Sequence, residues 1–127
     1  MKTSKILINL TAVVFTVYGA LFALFPAAMF EFITDGRVTT SSALIDIRAT
    51  YGGMSVAAGV ILFLLSRKAE TVRLGLISAL VLMLGMATGR MIGMAVDQDA
   101  NVIMTIYLAL ELLVVAASGY LLKTTAD

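Results

Sequence analysis

Four long apolar stretches alternate with three short polar separators along the chain. The stretches cover about residues 6–28, 44–65, 72–96 and 101–122. Each contains roughly the 20 residues that a helix needs to cross a hydrocarbon core about 30 Å thick. The separators leave no room for a soluble domain. The pattern therefore predicts an all-α fold, an integral membrane four-helix bundle that forms a single domain over residues 1–127.

The end of the first apolar stretch also contains a signal for a short additional helix. Proline is favoured in the first turn of a helix, where its missing N–H is not needed. The segment from Pro26 to Phe32 is therefore expected to form a short interfacial helix after the first span. The four hydroxyl residues from Thr39 to Ser42 can each cap the start of the second span.

Basic residues are distributed unevenly between the two ends of the predicted bundle. Six lie at one end, namely Lys2, Lys5, Arg67, Lys68, Arg73 and Lys123. The loops at the other end contain Arg37 with four acidic residues, Glu31, Asp35, Asp97 and Asp99. Lys and Arg near the ends of spans favour the cytoplasmic side of a membrane. We therefore expect both the N- and C-termini to be cytoplasmic and the two acidic loops to lie outside.

Composition excludes several functional classes. Hydrophobic residues make up 61% of the chain and charged residues only 13%, about half the usual share. A chain this short cannot bury so much apolar surface in its own interior, which argues against a soluble domain and a nucleic-acid partner. It has no Cys and no His, so we expect no metal site and no cofactor. The eight methionines are interpreted as flexible packing.

Small residues indicate where helices could approach closely. Gly85, Gly89 and Gly93 repeat every four residues in the third span, and Gly52 and Gly53 adjoin an arginine in the second. Small residues at this spacing let membrane helices pack backbone to backbone. Similar stripes are Ala49, Gly53 and Ala57 in the second span and Gly19, Ala23 and Ala27 in the first. Two alternatives stay open, packing within one bundle and a homodimer formed through the glycine ladder.

Four ionisable residues lie inside the predicted spans, where a charged side chain costs about 2.5–3.5 kcal/mol at the bilayer centre. They are Asp46, Arg48, Arg90 and Glu111. Two acids and two bases sum to zero, so they can neutralise one another if they converge in the outer half of the bundle. Helical spacing places Tyr51 beside Arg48 and Tyr107 beside Glu111. These six residues are the candidate ligand-binding cluster.

Three interpretations of the cluster compete. The charges can form an internal ion-pair network that fixes the helix register. They can line a polar pocket that opens to the outside and binds a small anionic or zwitterionic ligand, such as a lipid headgroup, since arginine holds carboxylates and phosphates through two parallel hydrogen bonds. Glu111 can also serve a proton or ion path.

Two motifs resemble a known family. The second span contains Asp46-Ile-Arg48-Ala-Thr-Tyr51-Gly52-Gly53, and the third contains Gly89-Arg90-xx-Gly93-xxx-Asp97, followed by the membrane residue Glu111. Together they resemble a group of small bacterial membrane proteins known as a domain of unknown function (4345), with a more distant likeness to DoxX-type four-helix proteins. In that family glycine commonly follows the position of Asp97, where this chain has Gln98. The resemblance implies the fold and a multi-pass location in the bacterial cytoplasmic (inner) membrane, and it implies no activity.

The sequence favours a binding or scaffold protein over an enzyme. No serine lies beside a credible base, and no aqueous segment contains a phosphate-binding glycine loop. The alternative is a small-solute or proton-coupled transporter that uses Glu111. The partners we expect are membrane lipid and either a second copy of the chain or another membrane protein.

Overall fold

The computed structural model describes residues 1–124, so the last three residues of the predicted domain lie outside the described part. Over this range the chain is all helical, without a strand. Four segments are long and apolar enough to cross a membrane, namely Lys2–Leu24, Ser41–Arg67, Ala69–Asp97 and Val102–Thr124. The predicted all-α architecture with four spans is therefore confirmed.

The first span ends four residues earlier than the sequence pattern suggested. Helix α1 covers Lys2–Leu24, and a separate helix α2 covers Pro26–Thr34, with Pro26 in its first turn. Pro26 has no N–H to continue the hydrogen-bond ladder of α1, and its ring disfavours the helical conformation for Phe25. The chain therefore changes direction at Phe25, and the predicted short helix begins at the predicted residue.

The second span contains an irregular turn. It consists of α3 (Ser41–Ile47), a π-helical segment (Arg48–Gly53) and α4 (Met54–Arg67). The Thr40 hydroxyl caps α3 by accepting a hydrogen bond from Ala43 N at 3.3 Å. Buried positions in this span are Ile47, Gly52, Ser55, Gly59, Leu62 and Ser66. Successive buried positions are otherwise three or four residues apart, whereas Ile47 and Gly52 are five residues apart. The π-turn accommodates the extra residue between them.

The π-turn decides which glycines of the second span meet α1. A Cβ atom added at Gly19 would lie 2.6 Å from the Gly52 carbonyl oxygen and 2.7 Å from Val56 N. One added at Gly59 would lie 2.7 Å from the Ala12 carbonyl oxygen. The two backbones therefore touch along this line, as small residues permit in membrane helices.

The other candidate packing glycines of the second and third spans do not contact another helix of the described chain. A Cβ at Gly53 would have the Arg48 carbonyl oxygen, at 3.8 Å, as its nearest contact, because the π-turn rotates this stripe away from α1. Helix α5 (Ala69–Asp97) presents Gly85 and Gly89 where a Cβ would meet nothing within 4 Å of the described chain. A Cβ at Gly93 would meet only the Asp97 carboxylate, at 3.8 Å. The ladder on α5 thus does not pack within the bundle, and packing against a second copy stays a prediction.

The bundle has two ends of different charge. The basic end contains Lys2, Lys5, Arg67, Lys68, Arg73 and Lys123, and the acidic end contains Glu31, Asp35, Asp97 and Asp99. A larger apolar core fills the half near the basic end, built around Ile8, Phe15, Leu62 and Leu76. A smaller one, Phe22, Ile33 and Ile47, lies near the acidic end. Helix α6 (Val102–Thr124) packs mainly on α5, with only 11% of its most apolar window buried.

Candidate functional site

Arg90 and Glu111 form an ion pair that joins α5 to α6. Arg90 Nε lies 3.2 and 3.1 Å from the two Glu111 carboxylate oxygens, and Nη2 lies 2.6 Å from Oε1. The carboxylate is buried, with 4% of the residue exposed. Arg90 lies about 10 Å along α5 from Asp97, and Glu111 about 14 Å along α6 from Val102. The pair therefore neutralises two charges well inside the membrane-spanning part and fixes the register of the two helices.

The outer nitrogen of the same guanidinium has a weaker partner. Arg90 Nη1 lies 3.0 Å from the sulfur of Met104, and the ring of Tyr107 lies 5.2 Å from the guanidinium carbon. A thioether is a weak hydrogen-bond acceptor, whereas a guanidinium N–H is a strong, charged donor. One side of Arg90 is thus fully used by Glu111, and the other is covered by an acceptor that an anionic oxygen could replace.

A row of aromatic rings connects this pair to the second span. Tyr107 contacts Tyr18 edge to face at a centroid distance of 6.4 Å. Tyr18 lies 4.8 Å from Phe22, and Phe22 stacks on Tyr51 at 5.2 Å. Two rings, Tyr18 and Phe22, therefore lie between Tyr107 and Tyr51, and Tyr51 does not contact the ion pair.

Arg48 lies at the start of the π-helical segment and binds the end of α1. Its Nη1 donates to the Ala23 carbonyl and, at 3.3 Å, to the Leu24 carbonyl. The last carbonyls of a helix have no partner within that helix, and they carry the negative end of its dipole. Arg48 thus stabilises the corner at which α1 ends.

The four charges do not form one cluster. The Asp46 carboxylate has no hydrogen bond or ion pair within the described chain, and only the backbone carbonyl of Asp46 accepts a bond, from the Thr50 hydroxyl at 2.7 Å. Arg48 binds α1, while Arg90 and Glu111 bind each other. The expectation of a single four-residue cluster is therefore not met, because the first half of the second span packs on the end of α1 rather than on α5 and α6.

A cleft opens at the acidic end above the ion pair. Its volume is about 430 Å³, and it is lined by Thr34, Asp35, Asp99, Ala100, Asn101 and Met104. The Asn101 amide donates to the Ile33 carbonyl and to Asp35 Oδ2, both at 2.9 Å, and its side-chain oxygen accepts from Met104 N at 3.0 Å. Asn101 thereby caps α6 and ties it to the end of α2. The volume lies within the range of about 300–1,000 Å³ that is typical of small-molecule sites.

The backbone around this cleft has an unusual conformation. Asp35, Gln98 and Asp99 have φ angles of 58°, 57° and 44°. Residues other than Gly rarely adopt a positive φ, with Asn and Asp as the usual exceptions. The ψ of -158° at Gln98 places it in a region that is almost confined to glycine, so Gln98 is strained. The tight link between α5 and α6 requires this conformation, and it places Asp99 on the cleft wall.

The family model described as Domain of unknown function (DUF4345) matches residues 3–122, almost the whole chain. This chain belongs to that family. The match confirms the resemblance to domain of unknown function 4345. Comparison with the curated proteins and with the solved structures gave no match. DUF4345 is a domain of unknown function, so membership in it assigns no chemistry to the site.

In this DUF4345 protein, three residues that contribute to the site escaped the sequence argument. Asn101 could have been found, because asparagine is a preferred N-cap at the start of a span. Tyr18 carries no charge and so was not among the unusual residues of the first span. Met104 looked like ordinary packing, since nothing in an apolar helix shows that one sulfur faces a guanidinium.

Proposed function

We propose that this protein binds a small zwitterion in the cleft at the acidic end. The ligand carries an ammonium group and a carboxylate or phosphate group. The observation that carries the proposal is the double role of Met104, which lines the cleft and also covers Arg90 Nη1 with its sulfur. Met104 is the lining residue farthest along α6, so it separates the cleft from the ion pair.

The anionic group of the ligand would bind Arg90. A carboxylate or phosphate oxygen forms a charge-assisted hydrogen bond that is about twice as strong as a neutral one. The Met104 side chain has three rotatable bonds and adapts readily, so it can move aside at low cost. Glu111 holds the other edge of the guanidinium, which keeps Arg90 charged and correctly placed while Nη1 changes partner.

The ammonium group would bind the rim of the cleft. The carboxylates of Asp35 and Asp99 line the rim, and neither has an ion-pair partner among residues 1–124. Two unpaired carboxylates repel a simple anion from the entrance, and they attract an ammonium group. A zwitterion satisfies both the acidic rim and the arginine beneath it. Two sources have this chemistry, a free solute and the headgroup of an ethanolamine phospholipid.

The orientation of the bundle belongs to the same proposal. Six Lys and Arg residues at the basic end support a cytoplasmic location of both termini, so that the cleft opens on the outer face of a bacterial inner membrane. The native chain has no Cys, so single-cysteine variants at Asp99 and at Lys123 can each be labelled in intact cells. A membrane-impermeant maleimide should label the first variant only. Labelling of the second alone would reverse the orientation.

Proton-coupled transport through Glu111 is the second candidate, favoured by the position of Glu111 directly beneath the cleft. Beyond Glu111, the larger apolar core occupies the half of the bundle near the basic end, which favours binding over transport. Transport predicts pH-dependent uptake of phosphoethanolamine into proteoliposomes, lost in Glu111→Gln. Binding without uptake would favour the first candidate.

Calorimetric titration of the detergent-purified protein tests the proposed binding. The probes are phosphoethanolamine, ethanolamine and inorganic phosphate. A hydrogen bond to a charged group contributes about 1.5–3 kcal/mol, so phosphoethanolamine should bind at least about tenfold more tightly than either half alone. Equal affinity for all three probes would overturn the proposal.

Two variants locate the binding. Asp99→Asn removes a charge and keeps a residue that tolerates the left-handed conformation, and it should weaken phosphoethanolamine and ethanolamine but not phosphate. Arg37→Gln is the matched control, because Arg37 is exposed and pairs with Glu31 at 3.4 Å, away from the cleft lining. If both variants bind phosphoethanolamine like the wild type, the cleft is not the site.

A further inference from the structure

Among the described residues 1–124, no carboxylate forms an ion pair with Arg48. Its partners among residues 1–124 are two neutral carbonyls at the end of α1. Asp46, only two residues away, forms no ion pair with it. Arg90 differs, since Glu111 balances its charge. An arginine inside a membrane span requires a counter-charge or strong acceptors, because an isolated charge there is costly.

The unused edge of Arg48 has the shape that binds two oxygens of one anion. Only Nη1 bonds to α1, whereas Nε and Nη2 bond to no atom of the described chain. Nε and Nη2 together form one side of the planar guanidinium. Arg90 uses this same side, Nε and Nη2, to hold the two oxygens of Glu111. Phosphate and carboxylate oxygens fit this arrangement through two parallel hydrogen bonds.

The surroundings of Arg48 point to lipid as the source of that anion. Three large apolar side chains near Arg48 are exposed. Leu24, whose carbonyl accepts from Arg48, is 66% exposed, and Ile45 and Met54, which are close to Arg48 along the chain, are 67% and 66% exposed. Arg48 lies seven residues after Ser41, about 10 Å along the span, and a long arginine side chain reaches from that depth to the headgroup level. Tyr51, 47% exposed, follows one turn later and suits the same interface.

We infer that Arg48 binds the phosphate group of a membrane phospholipid at the acidic end of the bundle. The phosphate oxygens accept from Nε and Nη2 in the manner in which Glu111 accepts from Arg90, while Nη1 stays on the α1 carbonyls. This site is separate from the zwitterion cleft, because Arg48 is not among the residues that line the cleft. Each proposal can therefore fail without the other.

Native mass spectrometry of the detergent-purified protein tests the inference through lipid adducts. The probes are phosphatidylglycerol, diacylglycerol with the same acyl chains, and inorganic phosphate. Loss of two charge-assisted hydrogen bonds should weaken phosphatidylglycerol binding at least about tenfold in Arg48→Gln. Diacylglycerol has no phosphate and should bind both proteins equally. Arg37→Gln removes the same charge from a loop arginine that pairs with Glu31 and should behave like the wild type.

Arg48→Lys covers the case in which Arg48→Gln fails to fold. Lysine keeps the charge and can still donate to the Ala23 carbonyl, but it lacks the two-pronged edge, so binding should fall by an intermediate factor. Wild-type affinity for phosphatidylglycerol in Arg48→Gln, or in Arg48→Lys where Arg48→Gln does not fold, would overturn the inference. Displacement of the lipid by an equal concentration of inorganic phosphate would overturn the lipid source and assign the site to a solute phosphate.

Discussion

An alanine at Gly19 would place a methyl group where α1 and the second span already touch. Its Cβ would lie 2.6 Å from the Gly52 carbonyl oxygen and 2.9 Å from Ser55 Cβ, whereas ordinary contacts begin near 3.4 Å. The oxygen belongs to the backbone of a packed helix and cannot rotate aside, so the helices must separate. Overpacking costs about 1–3 kcal/mol, occasionally more. The two closest atoms belong to the backbone, so the upper end of this range, about 3 kcal/mol, applies. The better helix propensity of alanine offsets about 1 kcal/mol, which leaves a net loss of about 2 kcal/mol.

Gly85→Ala is the matched control in another span. A Cβ there would meet nothing within 4 Å of the described chain, so only the helix propensity changes. We expect a gain of about 0.5–1 kcal/mol. Both substitutions replace glycine by alanine, but the structure predicts a lower free energy of unfolding for Gly19→Ala and a higher one for Gly85→Ala.

Equilibrium unfolding in mixed micelles of maltoside and dodecyl sulfate, followed by circular dichroism, measures both effects. Gly19→Ala should unfold at a clearly lower fraction of dodecyl sulfate than the wild type, and Gly85→Ala at the same or a higher fraction. A wild-type midpoint for Gly19→Ala would refute the packing that we assign to α1 and the second span.

Three further substitutions give separate expectations. Glu111→Gln leaves Arg90 buried without its counter-charge and should lower the free energy of unfolding in the same assay by about 3–5 kcal/mol; a change below about 1 kcal/mol would show that the pair does not fix α5 to α6. Gln98→Gly relieves a φ of 57° that costs about 1–3 kcal/mol, and the extra chain entropy of glycine offsets about 0.5–1 kcal/mol, so we expect a higher melting temperature and a net gain of about 1 kcal/mol; a decrease would contradict the strained link. Gly89→Leu should leave the melting temperature of the monomer unchanged or raise it, because a Cβ at Gly89 meets nothing within 4 Å of the described chain and leucine favours the helix over glycine; a lower melting temperature would contradict the open surface at Gly89, and a later elution volume than the wild type would reveal an oligomer formed through α5.

The sequence alone predicts the four spans and the corner at Pro26. Apolar runs long enough to cross a bilayer define four helices without any tertiary information. Pro26 marks the corner because it has no N–H to continue the hydrogen-bond ladder of α1. The π-turn was not predictable, because regular helical spacing assigns the residues of the second span to faces with a uniform period. The extra residue between Ile47 and Gly52 rotates the rest of the second span, so that Gly52 rather than Gly53 contacts α1.

The candidate site was predictable in its charges but not in its contacts. Arg90 and Glu111 are unusual in a membrane span, and that alone marks them as residues to explain. Their spacing on separate helices does not tell which charges meet, so the partner of Arg48 turned out to be a helix end rather than a carboxylate. Met104 contributes through its position over Arg90, which only the packing of α5 and α6 determines.

Methionine-methyl NMR of the detergent-purified protein tests the zwitterion site most directly. The chain contains eight methionines, and Met104→Leu assigns the relevant signal. As phosphoethanolamine is added, the Met104 methyl resonance should shift and saturate, because the anionic group displaces its sulfur from Arg90, while ethanolamine alone should not saturate it. An unchanged Met104 resonance at phosphoethanolamine concentrations that saturate the calorimetric titration would contradict the assignment of the cleft and Arg90 as the binding site.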